Sequence, residues 1–148
     1  MWVIRCTDEQ CGQVTYAAQI DELIGQHRDD AGWFLCGLCG KHGYIEKSFA
    51  LQEGEGQTWA PFLKGAIKLE YPDDTYRPFA FLVGRTADDG EVDSVWVSYY
   101  KDLRESGGKL KMGYGPGGPP VLELEQVATL VRTLVGTGLM EQSMLEPQ

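Results

Sequence analysis

Apolar positions recur with two periods along the chain. Ile20, Leu23 and Ile24 fall at i, i+3 and i+4, with Asp21 and Glu22 turned outward, which predicts a short helix. Val127, Leu130, Val131, Leu134 and Val135 carry that spacing through i+8, an apolar stripe along a longer helix. Glu123 and Glu125 stand at its start, Arg132 near its end and Gly136 just past it, placements that suit the helix dipole and a glycine stop. Elsewhere the pattern is β-type. Trp2 to Arg5, Gln13 to Ala17, Gly32 to Leu35 and Tyr44 to Phe49 predict strands in the first third. Ile67 to Tyr71, Pro78 to Val83, Ser94 to Tyr100, Lys109 to Met112 and Val121 to Leu124 predict a second set. Turn residues punctuate them at Asp29 to Gly32, Tyr71 to Asp74, Thr86 to Gly90 and Glu105 to Gly108. The expected class is α+β. A small β-rich lobe with an inserted helix spans 1–51, and a polar, glycine-bearing connector spans 52–62. An antiparallel meander packed by one C-terminal helix spans 63–138, and a tail spans 139–148.

Composition narrows the class. With 43% hydrophobic and 24% charged residues in 148, the chain reads as soluble and globular. No apolar run approaches the roughly 18 residues needed to span a bilayer, so no membrane association is expected. The opening Met1-Trp2-Val3-Ile4-Arg5-Cys6 lacks a secretory signal pattern, which points to the cytoplasm. The net charge is −9, which disfavours strong non-specific binding to duplex DNA. Residues 1–59 hold four basic and nine acidic residues, whereas 60–135 hold nine and eleven. The acidity is concentrated in the first lobe and leaves room for a local basic face on the second.

The cysteines form two pairs, Cys6-x4-Cys11 and Cys36-x2-Cys39, with 24 residues between them. Each pair can place two thiolates on one tight turn, and two such turns face to face supply the four sulfurs of a tetrahedral Zn²⁺ site. Gly12 and Gly40 follow the second cysteine of each pair and accept positive φ without a steric penalty. Two other arrangements stay open. Disulfides are disfavoured in a reducing cytosol, and a redox Cys36-x-x-Cys39 lacks a surrounding βαβ pattern. His42 lies three residues after Cys39 and can stand in for one sulfur. Because four thiolates already close a site, His27 and His42 are both expected at the surface.

These pairs and their flanking strands resemble the zinc ribbon family over roughly residues 1–51. The specific part is Cys36-Gly37-Leu38-Cys39-Gly40 followed by a strand. The resemblance implies one structural Zn²⁺ held by Cys6, Cys11, Cys36 and Cys39.

Along Ser94 to Tyr100, alternation separates Val95, Val97 and Tyr99 from Trp96, Ser98 and Tyr100. In the next strand Leu110 and Met112 oppose Lys109 and Lys111. If the apolar set meets the helix, the other face shows Trp96, Tyr100, Lys109 and Lys111. Rings beside lysines suit single-stranded nucleic acid, where bases stack and ammonium groups meet phosphates. The run Val97-Ser98-Tyr99-Tyr100-Lys101, then Gly108 to Gly113, then Val121 to Gln126 weakly resembles the single-stranded-DNA-binding domain of the positive-cofactor transcription coactivators. That family has a lysine cluster where Tyr114 to Gly118 stands here and an aromatic residue where Val127 stands. The resemblance implies a homodimer.

Other motifs fail on context. Gly113-x-Gly115-x-x-Gly118 precedes Pro119-Pro120 and an expected strand, so no helix N-terminus receives a pyrophosphate. No nucleophile motif accompanies the two histidines, and no enzyme is expected. The reading is a non-catalytic zinc-binding module associated with single-stranded DNA or RNA, or with transcription. The alternative is an acidic protein-interaction adaptor whose ribbon and Trp59, Pro61 and Phe62 dock a protein partner.

Overall fold

A computed structural model describes residues 1–47, 49–50, 58–59, 61–70, 75–113 and 120–147. Among these, the strands are β1 Trp2–Cys6, β2 Val14–Ala17, β3 Gly43–Glu46, β4 Phe49–Ala50, β5 Thr58–Trp59, β6 Phe62–Lys68, β7 Tyr76–Gly84, β8 Ser94–Asp102 and β9 Leu110–Met112. The helices are α1 Ile20–Gln26 and α2 Leu124–Gly136. Seven strands form one antiparallel sheet in the order β2-β1-β3-β6-β7-β8-β9, and β4 pairs with β5 separately. The α+β class expected from the sequence is present. No helix among the described residues is long and apolar enough to cross a membrane.

The chain divides into two compact units, Met1–Ala66 with Phe81–Trp96, and Ile67–Ala80 with Val97–Gln148. The sequence reading instead cut the chain at 52–62, most of which lies outside the described residues. β6 begins at Phe62, five residues before the expected strand at Ile67, and pairs Ile45 with Leu63. Of the expected Trp59–Pro61–Phe62 patch, Pro61 is buried and the Phe62 ring packs edge-on against Tyr44 at 5.7 Å.

In the first unit, Ile20, Leu23 and Ile24 of α1 are buried, as their spacing requires. With Ile4, Phe34, Ile45, Leu63 and Phe81 they form an apolar core. Phe81 is a hub, with Trp2 at 5.7 Å, Phe34 at 6.4 Å and Trp96 at 5.3 Å between ring centroids. Gly32 to Leu35, expected as a strand, is extended but joins its neighbours only through isolated bridges, Arg28 to Phe34, Trp33 to Gly65 and Leu35 to His42. The Asp29–Gly32 turn forms as expected, with the Gly32 N–H donating to Asp29 O at 3.0 Å and the Trp33 N–H to Asp29 Oδ1 at 2.9 Å. Gly32 has φ of 103°, and its backbone lies so close to Gly65 that a Cβ on Gly65 would collide with the Gly32 carbonyl.

In the second unit, α2 is set by its N-terminus. The Glu123 side chain accepts from the backbone of Gln126, and Gln126 Oε1 accepts from the Glu123 N–H at 2.9 Å, a reciprocal capping box. This box explains why Val121 to Leu124 is not the expected strand: Val121–Glu123 lie outside any strand and Leu124 opens the helix. Gln126, Leu130 and Leu134 are its buried residues, and Gln126 Nε2 donates to Glu70 O at 2.9 Å. Gly136 belongs to the last turn rather than the stop. Gly138 takes the positive φ of 77° just beyond it.

The Gly32–Gly65 approach gives a stability test. Gly65→Ala is expected to destabilise the protein by about 3 kcal/mol, since backbone faces backbone and neither side can yield. Gly25→Ala, in α1 with open space at its Cβ position, is expected to stabilise by about 0.5–1 kcal/mol. Chemical denaturation of the two variants side by side reads the contrast.

Candidate metal centre

The first cysteine turn leaves the end of β1. The Cys6 N–H donates to Gln13 O at 3.1 Å, and the N–H groups of Cys11 and Gly12 both donate to Asp8 O at 3.0 Å. Asp8 Oδ1 accepts from the Gln10 N–H at 2.9 Å and so fixes the turn from within. The second turn closes through Cys36 N–H to Lys41 O at 2.8 Å and Gly40 N–H to Cys36 O at 2.9 Å. Gly12 and Gly40 have φ of 61° and 75°, the left-handed backbone expected of them.

Backbone pairing brings the turns together. Cys6 lies opposite Gly43 in the β1–β3 ladder, and Thr7 donates to His42 O through its N–H at 3.1 Å and its Oγ1 at 2.8 Å. Lys41 Nζ then reaches across to Asp8 Oδ2 at 2.6 Å. This pair raises the Lys41 pKa, to which the nearby Cys39 and Cys6 sulfurs add, and lowers that of Asp8. Sequence reasoning saw both charges but not that they clasp one turn to the other. The Thr15 hydroxyl, which accepts from the Gly37 N–H at 2.8 Å, was missed in the same way.

The result is a four-sulfur cluster. The Sγ atoms of Cys6, Cys11, Cys36 and Cys39 all lie within 4.8 Å of one another, with Cys6–Cys39 at 3.5 Å and Cys11–Cys36 at 3.8 Å. A tetrahedron with metal–sulfur bonds of about 2.3 Å has edges of about 3.8 Å, close to the Cys6–Cys39 and Cys11–Cys36 separations. A disulfide would need about 2.05 Å, and all four thiols are free. The donor set suits a soft or borderline ion in tetrahedral coordination. Backbone hydrogen bonds favour ionisation of Cys36. N–H groups of Cys39 and Leu38 point at it and outweigh desolvation, bringing its pKa down to about 7. Desolvation, followed by its sulfur neighbours, pushes Cys6 up to about 12 against a hydrogen bond from the Asp8 backbone.

Neither histidine joins the sulfurs. His42 stacks on Trp33 at 5.2 Å and lies between two carboxylates, Nδ1 at 2.7 Å from Asp89 and Nε2 at 3.6 Å from Asp29. His27 sits 3.7 Å from Glu22. Both are half-buried rather than the surface groups expected.

The second set of predicted site residues is not gathered on one face. In the β8–β9 ladder Tyr100 lies opposite Met112 and Lys101 opposite Lys111. Directly opposed residues share a face, so Lys111 stands with Lys101, on the side away from Tyr100, while Lys109 precedes β9. Tyr100 is buried against Phe79 at 6.1 Å, and Trp96 is half-buried against Phe81. Neither offers the free ring face that the sequence suggested. Lys109 and Lys111 are exposed. Tyr114 to Gly118, where the resemblance to the coactivator family sets its lysine cluster, lie outside the described residues.

Compared with known protein families, curated proteins and solved structures, the chain matches none of them.

Metal uptake by these thiols displaces protons, so lower pH opposes it. With its pKa near 12, Cys6 keeps its proton until the ion arrives and alone contributes a tenfold change per pH unit. Competition against a chelator is expected to show metal binding weakened at least about a hundredfold between pH 8 and pH 6.

Proposed function

We propose that the protein is a non-catalytic zinc-binding module of zinc-ribbon type, with one structural Zn²⁺ on Cys6, Cys11, Cys36 and Cys39. The observation that carries this reading is the mutual approach of the four sulfurs within 4.8 Å. Four thiolates close the coordination shell, which is the arrangement of structural rather than catalytic zinc. The ion with its ligands carries a net charge of −2, and the Lys41 ammonium beside Cys39 and Cys6 offsets part of it. Structural zinc contributes about 10–16 kcal/mol of apparent binding energy, comparable to the roughly 5–15 kcal/mol that stabilises a whole domain. The first unit therefore folds with its ion.

Elemental analysis of purified protein is expected to give one zinc per chain, with four thiols that react only after chelation. Chelation is expected to unfold the first unit, read by circular dichroism and tryptophan fluorescence. Cys36→Ser is expected to abolish stoichiometric zinc. A metal-free protein with the same folded spectrum would remove the reading.

The partner we propose is single-stranded nucleic acid, held through its phosphates by Lys101, Lys109 and Lys111. These lysines are exposed, Lys101 directly opposes Lys111 across β8 and β9, and Lys109 immediately precedes β9. Like charges directly across a ladder repel, and an anion bridging them relieves that repulsion. Each phosphate neutralised on a single strand contributes about −0.7 to the slope of log affinity against log salt. Replacing the three lysines with alanine is expected to flatten that slope by about 2. An unchanged slope, or no binding at low salt, would favour the acidic protein-interaction adaptor instead.

A further inference from the structure

We propose that the metal centre is also a hydroperoxide-responsive cross-link, in which Cys39 is the sulfur attacked and Cys6 its partner. This rests on the zinc reading above. Burial grades the four cysteines. Cys36 is 2% exposed, Cys6 and Cys11 are half-buried, and Cys39 is exposed. Access selects which thiolate a small oxidant meets first, and access points to Cys39. The tip that carries it is open: neighbouring Leu38 is 75% exposed, and beyond its chain neighbours no atom lies within 4 Å of where a Cβ on Gly40 would stand.

Geometry then selects the second sulfur. Cys39 Sγ lies 3.5 Å from Cys6 Sγ, across the centre on the other turn. Its own partner in the C-x2-C turn is tied down. The Cys36 N–H is bound to Lys41 O, its carbonyl to the Gly40 N–H, and the next residue, Gly37, to the Thr15 hydroxyl. A disulfide sulfur separation of about 2.05 Å is thus reached more readily by the exposed tip moving toward Cys6 than by Cys36 leaving its place.

The chemistry balances with a hydroperoxide as oxidant. The Cys39 thiolate attacks one peroxide oxygen, the O–O bond breaks, and the other oxygen leaves as hydroxide or alkoxide. The Cys6 thiolate then attacks the resulting sulfenic sulfur, the S–S bond forms, and hydroxide leaves. With hydrogen peroxide, two thiolates, one peroxide and two protons give one disulfide and two waters. The two sulfurs lose two electrons and the peroxide gains them. The ion is left with Cys11 and Cys36 alone, too few ligands to hold it in tetrahedral coordination.

The test begins with bound zinc measured on the full chain before any oxidant is added. Hydrogen peroxide is then titrated in while a chromogenic chelator reports released ion, and unreduced digests are mapped by mass spectrometry. The expected result is loss of one zinc per disulfide, with Cys6–Cys39 as the dominant first cross-link. Full zinc content is expected to return after thiol reduction with zinc resupplied. A first cross-link between Cys36 and Cys39, a link between chains, or zinc retained through a large excess of peroxide overturns the proposal. Absence of zinc before peroxide overturns the metal reading instead.

Discussion

Four sulfurs drawn to one point constrain the first unit more than any other feature. Two short turns with little apolar content must be held at a fixed separation, and most of their hydrogen bonds organise each turn from within. Among the described residues, links that reach from one turn's neighbourhood to the other include the Cys6–Gly43 pairing, the Thr7 contacts to His42 O, the Gly37 N–H to the Thr15 hydroxyl and the Lys41–Asp8 ion pair. The ion pair is exposed to solvent, where such pairs are worth little. Its value is positional, since it sets a cation beside sulfurs that repel one another when ionised. An ion at their centre would turn that repulsion into attraction, so the geometry could hold a metal ion, and on the zinc reading proposed above the fold of this region would depend on it.

A second constraint operates away from the sulfurs. Gly32 and Gly65 allow two backbones to approach closer than any side chain permits, and the Phe34 N–H and Lys64 O bond at 3.0 Å along the same seam. Lys64 is buried there, its ammonium donating to the carbonyls of Asp88 and Glu91 with the Glu91 carboxylate 3.7 Å away. Burial lowers its pKa, and the surrounding acids work against that shift. The loop holding those carbonyls also carries Asp89, which meets His42 just beyond the second cysteine turn. The buried lysine thus fixes a loop that in turn steadies the segment following Cys39. A buried charge satisfied by two carbonyls and a carboxylate is specific in direction, which a purely apolar contact would not be.

Local signals in the sequence carried the elements well and their ends less well. The i, i+3, i+4 spacing of Ile20, Leu23 and Ile24 found α1, because burial of one helical face is a local property. Gly12 and Gly40 found the cysteine turns, because positive φ is also local. Val121 to Leu124 misled because its alternation is genuine, yet Glu123 and Gln126 form a capping box whose reciprocal bonds outweigh β preference. Gly65 gave no sign of its role. Its requirement comes from a backbone more than thirty positions earlier in the chain. The convergence of Cys6, Cys11, Cys36 and Cys39 was legible because four identical, chemically demanding side chains announce a shared purpose. The Asp8–Lys41 clasp uses residue types too common to stand out.

The lysines on β8 and β9 show where reading one strand at a time stops. Alternation along β8 correctly puts Trp96, Ser98 and Tyr100 on one side, and alternation along β9 correctly separates Leu110 and Met112 from Lys109 and Lys111. Neither pattern fixes which side of one strand matches which side of the other. That is set by register, and a shift of one residue reverses every assignment. Here Tyr100 meets Met112, so the buried ring joins the apolar members of β9 and Lys111 joins Lys101. The physical consequence reaches the proposed function. A surface of rings and lysines would stack bases and read them by ring contact, whereas a surface of three lysines holds phosphates without regard to sequence. Affinity on such a strip comes from counterion release and is therefore steeply dependent on salt and indifferent to base identity.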